Sequence, residues 1–143
     1  MDFQEIITAL KSKYSNDFIQ EDSNHWHFRV MTGEGRSQEV HVLYKQKRVG
    51  DVDISRFIVE SPIGLVHRHL NLEFVLRKNT DLDVGAICIH DLRNEENLSV
   101  PYLTLRGTHL IPTADPEEVF EMIEKVARGA DLLEKDLYAR DFH

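Results

Sequence analysis

The sequence predicts an α+β domain: a five-stranded antiparallel sheet, made of a three-stranded meander plus a hairpin, with helices in the order α-β-β-β-α-β-β-α. Three observations predict it. Apolar and polar side chains alternate through three successive stretches between His25 and Glu60, the period of half-buried strands. A nearly continuous apolar run, Val84 to His90, is followed by a polar turn and a second strand from Leu98 to Arg106, the pattern of a hairpin. Beyond Asp115, apolar residues Val119, Ile123, Val126, Ala130, Leu133 and Leu137 recur in alternating steps of four and three, which sets all six on one face of a helix.

Taken in order, Asp2 to Tyr14 reads as the first helix, with Phe3, Ile6, Ile7 and Leu10 at helical spacing. Ser15-Asn16-Asp17 ends it, and Glu21-Asp22-Ser23-Asn24 reads as a turn. In the strand from His25 to Thr32, Trp26, Phe28 and Val30 face one way and His25, His27, Arg29 and Met31 the other. Gly33-Glu34-Gly35 supplies a hairpin loop. Glu39 to Lys47 sets Val40, Val42 and Tyr44 opposite His41, Leu43 and Lys45. After the turn Val49-Gly50-Asp51, Val52 to Glu60 is the third strand.

Leu65 to Lys78 is ambiguous. Ile63, Val66, Leu70 and Phe74 form a helical stripe with Leu65, Leu72 and Leu76 nearly opposite, while Leu70, Leu72, Phe74 and Leu76 also suit strand alternation. The favoured reading is a helix apolar on two sides, one against the sheet and one against a second subunit, so that Val66, Leu70 and Phe74 form a dimer interface. In the last third, from Leu98 to Phe142, Pro101 marks an edge or a bulge because it lacks a ladder donor. Asp115 caps the final helix, Pro116 takes its first position, and Glu118 closes a capping box. With no repeat, low-complexity tract or linker, residues 1–143 read as a single domain.

Composition excludes some functions. With 25 acidic against 17 basic residues, the net charge of −8 repels phosphate backbones, and Lys45-Gln46-Lys47-Arg48 reads as a solvated hairpin end, so no nucleic-acid partner is expected. The single cysteine, Cys88, forms no intramolecular disulfide and reads as a small buried hydrophobe. No apolar run has membrane-spanning length, and Met1 to Glu5 lacks a signal-peptide pattern, so no membrane and a cytoplasmic location are expected.

The element order, together with Asn79, the run Val84-Gly85-Ala86-Ile87-Cys88-Ile89-His90-Asp91, the strand from Leu98, Asp115-Pro116-Glu117-Glu118-Val119 and Ala130-Asp131-Leu132-Leu133-Glu134, resembles the type III secretion chaperone-like fold and, within it, the YbjN family. The motifs cover about the last half of the chain, and the first half departs from the pattern at Trp26 and at His67-Arg68-His69. The resemblance implies a small homodimer with no catalytic residue and no cofactor. Its partner would be a polypeptide client or a regulatory protein, and family function is linked to regulation or stress responses.

The sharpest local feature is His25-x-His27. On a strand both imidazoles share a face, and His41 on the next strand would supply a third metal ligand if register allows. A small metal- or ligand-binding enzyme on His25, His27 and His41 is therefore the alternative, set against an ordinary exposed polar face. His67-x-His69 on a helix would point about 200° apart and could not chelate together. His90-Asp91 could form an acid–base pair, with Asp91 more commonly capping a turn. The scattered glycines form no phosphate loop, and neither a Gly-x-Ser-x-Gly elbow nor a His-Glu-x-x-His helix occurs. The early acids of the last helix suit its dipole, and Gly107 is expected to allow a bulge or a close backbone approach.

Overall fold

The computed structural model describes residues 2–15 and 17–138. Its elements are α1 (Phe3–Lys13), β1 (Ile19–Asp22), β2 (His25–Gly33), β3 (Arg36–Val49), β4 (Val52–Leu65), α2 (Leu72–Arg77), β5 (Ala86–Arg93), β6 (Ser99–Leu110) and α3 (Pro116–Tyr138). The strands form one antiparallel sheet in the order β1-β2-β3-β4-β6-β5.

The sheet has six strands rather than the predicted five. The additional one is β1, which overlaps residues predicted as a turn. All four of its residues are exposed, so it shows no buried face and no alternation. Backbone pairing with β2, Ile19 opposite His27 and Gln20 opposite Trp26, is what makes it a strand. The meander β2-β3-β4 and the hairpin β5-β6 stand where alternation placed them, and β6 joins β4.

The segment from Leu65 to Lys78 is not one helix. Leu65 ends β4, His67 to Leu70 turn, with the Leu70 N–H donating to the His67 carbonyl at 3.1 Å, and only Leu72–Arg77 is α-helical. Asn71 starts that helix by accepting the Phe74 N–H on its side chain at 3.0 Å. His67 and His69 thus lie on the turn, not on a helix face, with ring centroids 6.3 Å apart.

The core lies between the sheet and α1 and α3. Trp26, Phe28, Val30, Val40, Val42, Phe57 and Val59 meet Phe3, Ile6, Ile7 and Leu10 of α1 and the α3 stripe. Five of the six stripe residues are buried and Leu137 is partly so; each fully buried aliphatic side chain contributes roughly 1.5–3 kcal/mol. Asp115 caps α3, accepting the Glu118 N–H at 2.9 Å. The part of the predicted helix toward Phe142 lies outside the described residues.

Gly107 serves a close approach: a Cβ there would stand 2.9 Å from Met122 Sδ, so glycine lets α3 lie against β6. The bulge falls instead on β4, between Pro62 and Gly64. Pro101 lies opposite Asp91, and its carbonyl accepts the Val66 N–H at 3.0 Å just past the end of β4. Among the described residues, no helix is long and apolar enough to cross a membrane.

Candidate functional site

Two regions bring together residues that the sequence singled out. The first is the sheet face opposite α1 and α3, which carries the polar half of each alternation. Register sets His27 opposite His41, His41 opposite Glu60, and Glu60 opposite Arg106, a polar row across four strands.

At one end of the row the three histidines do meet. His25 Nε2 and His41 Nδ1 are 2.7 Å apart, one ring donating to the other. His27 Nε2 lies 2.6 Å from Glu21 Oε1, while Glu39 Oε1 is 3.1 Å from His41 Nε2 and 3.5 Å from His27 Nδ1. Five of the six ring nitrogens are thus spent on each other and on two carboxylates. Among the described residues, no three His, Cys, Asp or Glu side chains converge in a way that would hold a metal ion. Burial, and then His41, lowers the His25 pKa, against the pull of Asp22 and Glu21. The hydrogen bond from His41 is the main cause holding the Glu39 carboxyl below its usual range.

Further along the row stands Glu60, 2% exposed. Its Oε1 is 2.6 Å from His90 Nδ1, its Oε2 accepts from Thr104 Oγ1 at 3.2 Å, and Arg106 Nε lies 3.8 Å away. A buried carboxylate persists only when paired and hydrogen-bonded, and this one is. Sequence reasoning looked to Asp91 as the partner of His90 and missed Glu60, Thr104 and Arg106. The available signal was a glutamate directly after the apolar run Phe57-Ile58-Val59, read there only as the end of a strand. Cys88, beside this group, is half-buried rather than fully buried, and burial raises its thiol pKa.

The second region is apolar. Val75 of α2 points into the core, leaving Phe74 54% and Leu76 53% exposed, with Leu72 and Leu65 also exposed. Of the predicted interface residues, Val66 and Leu70 lie in the turn and pack partly against the core, while Phe74 stands on the open side of α2. Lys78 Nζ sits 4.7 Å over the Phe74 ring and pairs with Asp136 Oδ2 at 2.6 Å. One helical turn before Asp136, Leu132 is 64% exposed. Exposed apolar residues of α2 and α3 therefore flank one ion pair.

A cleft of about 1270 Å³ opens between the start of β3, the end of β4 and the last turns of α3. Tyr102, Tyr138, His67 and His69 contribute to its walls, and Arg36 there forms a close ion pair with Asp131. Tyr138 Oη donates to the Leu65 carbonyl at 2.7 Å. In comparison with known proteins, the chain matches no family model and no curated protein.

Proposed function

We propose that the chain is a non-enzymatic protein-binding domain, chaperone-like or regulatory, that dimerises and holds a polypeptide partner. The carrying observation is the apolar surface of α2. A six-residue helix that commits Val75 to the core and leaves Leu72, Phe74 and Leu76 in water has more apolar surface than its own subunit covers. Leu72 and Leu76 lie one turn apart on one side of the helix and Phe74 nearly opposite, so α2 offers apolar side chains to a partner on two sides. Leu132 of α3, one helical turn before Asp136, is a further exposed apolar side chain.

The polar clusters favour a non-enzymatic reading: the carboxylates and imidazoles of the described row satisfy one another. Membership of the YbjN family and a cytoplasmic setting belong to this proposal. Sedimentation at micromolar concentration tests it. A species of twice the chain mass is expected, shifted toward monomer by Phe74→Glu. A clean monomer with unchanged α2 exposure would contradict the dimer.

A further inference from the structure

β5 is the last strand of the sheet, with β6 on one side and no strand on the other among the described residues. Two hydrogen bonds tell which of its backbone groups face that open edge. The Pro101 carbonyl accepts the Val66 N–H just past the end of β4, so the β6 backbone at Pro101 points to the β4 side, away from β5. Asp91 stands opposite Pro101 and therefore turns its own N–H and carbonyl outward. The alternation of an antiparallel ladder does the same for Ile87, Ile89 and Arg93. Ile87 bears this out, since its N–H goes to Asn79 Oδ1 at 2.6 Å, outside the sheet. The backbone at Ile89, Asp91 and Arg93 has no strand beside it, and such an edge is a template for pairing. We propose that this edge pairs antiparallel with β5 of a second copy about a two-fold axis at Leu92, joining the two sheets into one.

The register follows from backbone direction and charge. Outward groups must meet outward groups, so Ile87, Ile89, Asp91 and Arg93 pair only among themselves. An axis at Ile89 or His90 draws in Ile87, whose N–H Asn79 already holds. An axis at Asp91 sets Asp91 against itself, and like charges directly opposite destabilise a sheet. An axis at Leu92 sets Asp91 against Arg93 of the second copy and Arg93 against its Asp91. Each of these pairs exchanges backbone hydrogen bonds and brings opposite charges together. Leu92 then meets Leu92 of the second copy on the other face.

The side chains are placed for this. Asp91 and Arg93 are exposed on one face of β5, and among the described residues neither touches an opposite charge. Arg93 Nη1 donates to the Asn97 carbonyl at 2.9 Å, which leaves other guanidinium donors for a carboxylate.

Two features make the occupant a second copy. The edge carries one acid and one base two residues apart, a pattern that antiparallel self-pairing satisfies on both sides of the axis. The surface behind the dimer reading also reaches this edge, because Asn79, which holds Ile87, follows directly on α2 and its exposed Leu72, Phe74 and Leu76. The inference rests on the dimer reading and supplies its geometry.

Charge exchange on the full chain, read by sedimentation, tests it. Asp91→Arg alone or Arg93→Asp alone turns attraction into repulsion at both pairs and should weaken the dimer about tenfold. The double variant Asp91→Arg/Arg93→Asp restores opposite charges across the axis and should recover the wild-type affinity. Single changes that leave the dimer as tight as the wild type, or a double variant no tighter than the singles, overturn the proposal. Amide exchange on the wild type needs no variant. The Asp91 and Arg93 amides should be protected at micromolar protein and open on dilution, with Ile89 open throughout and Cys88, His90 and Leu92 protected throughout by β6. A dimer whose Asp91 and Arg93 amides stay open, or whose Ile89 amide closes, overturns this geometry and leaves the dimer reading standing. A monomer at every concentration overturns both.

Discussion

Gly64 shows how tightly one position can be set. A Cβ there would stand 2.5–2.7 Å from the Tyr138 ring, whose hydroxyl holds the Leu65 carbonyl. Gly64→Ala should cost about 1–3 kcal/mol, read as a lower urea midpoint at unchanged slope. An unchanged midpoint would mean that the ring moves aside freely. Glu60→Ala should cost more, roughly 3–5 kcal/mol, because His90 and Thr104 lose their shared acceptor in a buried site. A loss below about 1 kcal/mol would place that carboxylate effectively in water. At His25, His27 and His41, added zinc at moderate excess should leave Tm unchanged, since five of the six ring nitrogens are already engaged; a concentration-dependent rise would restore the metal-binding alternative. Alternation alone separated Trp26, Phe28 and Val30 from the histidines. The meeting of His27 with His41 also required register, which a single sequence leaves open. Glu60 was obscured because β4 buries residues on both faces there, from Phe57 to Ser61, so the two-residue period is lost.

Among the elements, legibility followed the source of stability. α3 has a cap, an N-terminal proline and a long apolar stripe, each written locally, and its described part begins where those signals place it. β1 is held by pairing with β2 rather than by burial, so composition carries almost no trace of it. The α2 region misled because its leucines fit two periods. The deciding feature was Asn71, a cap six residues after the predicted beginning at Leu65, so that the helix starts only at Leu72. Asn71→Ala should therefore destabilise this region by about 1 kcal/mol, seen as faster exchange at Leu72–Arg77 with the sheet unaffected. Equal loss of protection throughout the molecule would instead make α2 part of the global folding unit.

At the scale of the whole molecule, one sheet face and two helices account for the main core, and Leu72, Phe74 and Leu76 of α2 remain outside it. The most direct measurement is radical footprinting of Leu72, Phe74 and Leu76 across a dilution series from micromolar to nanomolar protein. The dimer account predicts protection of all three side chains at high concentration and release on dilution, at the same midpoint as the fall in mass. Labelling that is full and independent of concentration, in a species that stays monomeric, would contradict it.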